Sequence, residues 1–152
     1  MVHPHGKDLR KGRVCETGRI YLLTAVTCER RSLFADWRVG RLLAKEFGRA
    51  QEDGLVESLA WVIMTDHFHW LIALDRATLS SVMQRVKSRS AIAINKHLRS
   101  EGKVWQKGFH DRALRRDEDS IDTARYVVAN PLRAGLAKRL GDYPLWNAAW
   151  LP

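Results

Sequence analysis

The stretch Asp66-His67-Phe68-His69-Trp70-Leu71-Ile72-Ala73-Leu74 decides how this chain folds. It is aromatic and β-branched, as a strand requires, and the apolar Val62, Ile63, Trp70, Leu71 and Ile72 around the histidines mark a central strand. Immediately upstream, Leu55 to Met64 reads as another strand, separated from Phe68 to Leu74 only by Thr65-Asp66-His67. So short a connection favours an antiparallel hairpin. Further upstream, Arg19 to Thr27 is a β-branched and aromatic strand. Asp36 then caps a helix with Val39, Leu42, Leu43 and Phe47 on one face, ending near Gly54. Downstream, Thr78 or Ser80 caps a helix running to about Arg99. Lys103 to Leu114 contains a fourth strand, and a last helix begins near Glu118 or Asp119 and carries Ile121, Ala124, Val128 and Leu132. The order β-α-β-β-α-β-α predicts an α+β fold of split β-α-β type, with helices packed on one face of a central antiparallel sheet.

The whole chain has 152 residues, 45% hydrophobic and 28% charged, the composition of one globular domain rather than a disordered or collagenous one. Residues 1–17 read as a basic arm with Lys7, Arg10, Lys11 and Arg13, and residues 18–152 as a single domain. The longest apolar run, Leu59 to Met64, is far short of the about 20 residues of a membrane span. The arm lacks the apolar core of a secretory signal, so a cytoplasmic, nucleoid-associated protein is expected. Cys15 and Cys28 lack the spacing of a disulfide framework or metal finger. Charge says more: 26 Lys and Arg against 17 Asp and Glu give a net +9. A small domain this basic usually meets a polyanion, nucleic acid above all, although the excess can also serve solubility alone.

His67 and His69 stand i, i+2, which on a strand puts both imidazoles on the same face. Two neutral imidazoles side by side make half a divalent-metal site; equally, each can be an ordinary histidine satisfied by backbone. Tyr126 lies in Thr123-Ala-Arg-Tyr-Val-Val-Ala-Asn130 on the last helix. Asn130 shares its face if the helix persists, but it precedes Pro131 and would serve as well as the N-cap of a new helix. Taken alone, Tyr126 is a core-edge tyrosine.

Three motifs in order, Asp66-His-Phe-His-Trp70, Val104-Trp-Gln-Lys-Gly-Phe-His-Asp-Arg112 and Tyr126-Val-Val-Ala-Asn-Pro-Leu-Arg-Ala-Gly-Leu136, resemble the REP-associated tyrosine transposases. These are single-domain members of the HUH single-tyrosine nucleases, and the resemblance runs from about Gly12 to Leu151. It implies a ferredoxin-like fold, a divalent Mg²⁺ or Mn²⁺ on His67, His69 and Asn130, and Tyr126 as nucleophile. One position departs: Thr65 stands where the family's Met-Pro-Asp-His turn has proline. The implied activity is metal-dependent cleavage and transfer of single-stranded DNA through a 5′-phosphotyrosine. The implied substrate is a hairpin from a repeated extragenic palindrome. A monomer is expected rather than a homodimer. Two other classes fit the same residues: a hairpin-binding protein without chemistry, and a metal-dependent hydrolase of nucleic acid in which Tyr126 is structural.

The DNA-binding candidates are Arg10, Lys11 and Arg13 on the arm, Arg85, Lys87 and Arg89 on the second helix, Lys107, Arg112 and Arg115 around the fourth strand, and Arg125 and Arg133 beside the tyrosine. Trp105, Trp146 and Trp150 are candidates for stacking unpaired bases. In relatives the N-terminal segment reads the bases at the foot of the hairpin, a role that would here fall to the arm.

Overall fold

The computed structural model describes residues 19–115 and 119–149 of the chain. The arm with Arg10, Lys11 and Arg13 lies outside the described residues, as does Trp150.

Strands β1 (Ile20–Val26), β2 (Val56–Ile63), β3 (His67–Leu74), β4 (His110–Ala113) and β5 (Trp146–Ala148) form one antiparallel sheet in the order β4-β1-β3-β2-β5. The HFHWLIAL strand is central, as its apolar flanks predicted. Its pleat sends Phe68, Trp70, Ile72 and Leu74 to one face, where they join Tyr21 and Leu23 of β1 in the main core. Helices α1 (Trp37–Glu52) and α2 (Leu79–Leu98) cover that face. Both start where the sequence places them: Asp36 accepts from the Arg38 N–H and Thr78 from the Ser81 N–H. Gly54 (φ 73°) closes α1 in the left-handed conformation glycine tolerates, letting the Leu55 N–H reach back to the Ala50 carbonyl. Trp70, fully buried, sends its indole N–H to Ser58 Oγ beside an irregularity at Leu59.

Helix α3 (Ser120–Val128), capped by Asp119, corrects the one-faced packing expected above. Its Ala124 and Val128 join Leu71, Leu59 and Ala60 in a second cluster on the opposite face of the sheet, with Leu22 and Ala73 at its margin. The predicted helix through Leu132 also ends early. Pro131 has no N–H for the Val127 carbonyl, so α3 stops and a short turn, α4 (Asn130–Arg133), follows. The fourth strand is shorter than the Lys103–Leu114 run that contains it. Strand β5 was not foreseen: three residues with one buried side chain carry little periodicity.

The pairing sets a row across the face that α3 covers. His110 of β4 faces Thr24 of β1, Thr24 faces His69 of β3, His69 faces Val62 of β2, and Val62 faces Trp146 of β5. One residue pair further along, Arg112, Leu22 and Leu71 form the next row on that face.

Candidate active site

His67 and His69 emerge side by side on β3, ring centres 5.0 Å apart and nearly edge to face. Each has its inner nitrogen occupied. Nδ1 of His67 is 2.7 Å from Asp66 Oδ1, and Nδ1 of His69 is 2.8 Å from Thr24 Oγ1. With Nδ1–H donating, Nε2 of each ring keeps its lone pair, the form a metal needs.

Asp66 is itself held by Arg30, whose Nη1 donates to Oδ2 at 3.2 Å. Partial burial works to raise the Asp66 carboxyl, but hydrogen bonds and charge from His67 and Arg30 outweigh it and keep the group below its ordinary value. Arg30 and its neighbour Glu29 both adopt positive φ (50° and 56°), a tight reversal that brings the guanidinium to the hairpin turn. Thr65, where the family's turn has proline, leaves that turn intact: its carbonyl accepts the Phe34 N–H. Burial pushes His69 down from 6.5 to about 4, with the nearby charges of His67 and Arg133 adding to it. It is therefore neutral at physiological pH.

The tyrosine side of the site hangs on Pro131. Asn130 Nδ2 donates to the Val127 carbonyl at 2.9 Å, supplying the bond that the proline cannot make. Asn130 is thus not an N-cap, and makes no capping bond. Its carboxamide is fixed with Oδ1 toward Arg133, whose Nη2 donates to it at 2.8 Å and to the Tyr126 carbonyl at 2.7 Å. The same guanidinium lies over the Tyr126 ring, 3.7 Å from its centre, while the ring stays 65% exposed. Tyr126, Asn130 and Arg133 form one unit, near enough to the strand for Arg133 to lower His69.

Two imidazole Nε2 lone pairs suit a borderline divalent ion such as Mn²⁺ better than the oxygen-preferring Mg²⁺. Among the described residues no three His, Cys, Asp or Glu side chains converge, and the Asn130 carbonyl oxygen keeps one lone pair after serving Arg133.

The basic candidates divide. Arg112 shares the sheet face of the histidines, one row along. Arg125 is on α3 next to Tyr126, in an exposed pair with Asp122 at 3.6 Å. Arg89, Lys107 and Arg115 are exposed. Arg85 and Lys87 serve the fold: Arg85 pairs with Asp53, and Lys87 Nζ donates to the carbonyls of Gln106 (2.8 Å) and Gly108 (2.6 Å). Trp105 is a core residue, 6% exposed, its indole N–H on Ser90 Oγ, and Trp146 is half-buried with its indole on the Leu140 carbonyl. Trp37, the exposed tryptophan among the described residues, carries no local signal in the sequence, and neither do Thr24, Arg30 and His110. Their roles depend on cross-strand register and loop closure, which local spacing does not encode.

The family model described as Transposase IS200 like matches residues 17–130. A REP-associated tyrosine transposase of Escherichia coli K12 is 26% identical over 98 residues, 63% of this chain and 56% of that protein. A putative REP-associated tyrosine transposase of Haemophilus influenzae is 26% identical over 99 residues, 58% of this chain and 56% of that one. The chain thus spans little more than half the length of the curated relatives it matches. A solved REP-associated tyrosine transposase bound to a REP hairpin superposes with a TM-score of 0.71 at 23% identity, over 88% of this chain and 79% of that one. A putative transposase from Deinococcus radiodurans gives 0.54 at 20% identity, over 86% and 97%. At these identities the two structures speak for the fold.

Proposed function

The chain belongs to the IS200-like transposase family, and from that premise we propose that it binds single-stranded DNA folded into a hairpin and cleaves and rejoins it through Tyr126. The observation that carries this reading is the convergence of the His67–His69 pair with the Tyr126–Asn130–Arg133 unit on one face of the sheet. The likeness to a transposase solved with a REP hairpin supports a palindromic hairpin as substrate.

His67, His69 and Asn130 would hold a divalent Mg²⁺ or Mn²⁺, which supplies Lewis-acid polarisation of the scissile phosphate. The chain's own residues do the rest. The Tyr126 hydroxyl oxygen attacks phosphorus, an O–P bond to tyrosine forms, and the P–O3′ bond breaks. The departing oxygen takes a proton and leaves as a 3′-hydroxyl. A phenol holds its proton at neutral pH, so deprotonation must accompany attack. Arg133, seven residues on and over the ring, places a fixed positive charge beside the developing phenolate. Its remaining N–H groups are suited to a phosphate oxygen. The phosphotyrosine preserves the energy of the broken bond, so a second 3′-hydroxyl can reverse the step and exchange strands without ATP. Arg112 and Arg125 would carry flanking phosphates.

One observation favours a second reading, a hairpin binder without chemistry: both polar ends of Asn130 are already engaged within the chain, Nδ2 by the Val127 carbonyl and Oδ1 by Arg133. A denaturing gel separates the two. Labelled single strands carrying palindromes from the DNA flanking the gene are incubated with Mn²⁺ or Mg²⁺, with wild type or Tyr126→Phe, with and without chelator. A cut strand and a protein–DNA adduct, both lost with phenylalanine, are expected. Cutting that survives the substitution would mean hydrolysis. Binding to several flanking palindromes without cutting would mean the binder.

A further inference from the structure

A groove of about 940 Å³ runs along the outer flank of α1, where the helix meets β2 and the chain entering β5. Trp37, the first residue of α1, stands at its mouth, 45% exposed, with the guanidinium carbons of Arg38 and Arg41 at 5.2 and 5.7 Å from its ring centre. Lys45 follows Arg41 by one turn on the same flank, and Trp61 of β2 forms the floor, its ring anchored 5.6 Å from that of Phe47. The far wall is Pro144 and Leu145, and Leu145 lies so close to Gly40 that a Cβ there would meet its Cδ1 at 2.4 Å. The acidic side chains nearby are engaged: Asp142 by Arg139 at 3.3 Å, and Asp36 as the helix cap, its Oδ1 also 3.9 Å from the exposed Arg38 guanidinium.

An exposed indole among three cations above an aromatic floor is a poor match for the other polyanions a basic protein meets. An acidic peptide would use the cations and leave the indole idle, and duplex DNA offers no free base face. Unpaired nucleotides use both.

The position fits too. The segment 143–145 touches both the groove and the side of the sheet that bears the tyrosine helix. Tyr143 packs against the cluster holding Val127, Tyr126's neighbour, and donates its hydroxyl to the Ile63 carbonyl at 2.5 Å, while Leu145 faces the groove. At the α1 end, the Phe34 N–H donates to the carbonyl of Thr65, two residues before His67.

We propose that this groove is a second nucleic-acid subsite, holding the unpaired strand that flanks the hairpin, with bases against Trp37 and phosphates on Arg38, Arg41 and Lys45. The proposal rests on the reading of the substrate as single-stranded DNA.

Fluorescence anisotropy on the full chain tests it, with a hairpin oligonucleotide carrying or lacking a thymidine tail of about six nucleotides. The tail is expected to tighten wild-type binding about tenfold, and Trp37→Ala and the double variant Arg38→Ala/Arg41→Ala to lose most of that gain. Trp37→Phe is expected to keep part of it, and oligothymidine to quench wild-type fluorescence more than that of Trp37→Phe. A circular-dichroism melt establishes that each variant is folded. A tail gain unchanged in the folded variants overturns the proposal. So does a variant that loses self-association in sedimentation while keeping the tail gain, which gives the groove to a second copy of this chain. The Tyr126 adduct, measured on the same oligonucleotides, reports on the parent reading. Adduct formation with an unchanged tail gain sinks the groove alone, whereas a wild type that binds neither hairpin nor tail sinks both.

Discussion

The guanidinium carbon of Arg133 lies 3.7 Å from the centre of the Tyr126 ring, and the same side chain donates to the Tyr126 carbonyl and to Asn130 Oδ1. One residue therefore fixes the orientation of the proposed nucleophile and of the proposed third metal donor. Arg133→Ala is expected to slow adduct formation by about 10- to 100-fold while costing about 1 kcal/mol or less in stability, since the stack is exposed. Arg133→Lys keeps the charge but not the planar fork, so it is expected to recover little. Single-turnover adduct kinetics beside a thermal melt check this. A slow Ala variant fully restored by Lys would show that charge alone matters.

Asp66 does for His67 what Arg133 does for Asn130. Its carboxylate fixes the imidazole's tautomer from 2.7 Å while Arg30 steadies the carboxylate. Asp66→Asn preserves shape and removes the charge. Binding of Mn²⁺, followed by electron paramagnetic resonance of the free ion, is expected to weaken by about 10- to 100-fold. Unchanged affinity would mean that Asp66 only shapes the hairpin turn.

His69 makes stability pH-dependent in a defined window. Its folded value of about 4 lies below the unfolded 6.5, so between those values the unfolded chain binds the extra proton. Stability from this group is complete above about pH 6.5, falls as pH drops, and levels off below about 4. The loss is on the order of 2–3 kcal/mol. Urea unfolding at pH 7 and pH 4.5 measures it, and His69→Gln is expected to flatten the difference.

Much of this was legible in the sequence because the signals were local. Asp36, Thr78 and Asp119 announced their helices as capping side chains do, and the H-x-H spacing placed both imidazoles on one face without knowledge of any partner strand. Register was not legible. Nothing near His69 says that Thr24 will face it across β1, or that His110 will stand beyond Thr24 in the same row. Pro131 is legible only in part. Proline does end the helix, but the consequence is a side-chain bond from Asn130 to Val127 rather than a cap. Trp105 is packed in the core and Trp37 is exposed, a difference that depends on which loops close over each ring and leaves no local signal.

Lys87 separates charges that bind DNA from charges that hold the fold. Its ammonium spans the carbonyls of Gln106 and Gly108 and is pushed below its ordinary value by burial, so it is the clip of the loop leading into β4. Lys87→Met leaves both carbonyls without that donor and is expected to cost about 1–3 kcal/mol in urea unfolding. Arg112, on the histidine face, is expected to behave in reverse. Arg112→Ala should lower hairpin affinity and reduce the slope of log affinity against log salt by about 0.7–0.9, one released counterion's share. Lys87→Met should keep the wild-type slope wherever it remains folded. A reduced slope in folded Lys87→Met would return Lys87 to the phosphate-binding surface, because a loop clip has no counterion to release.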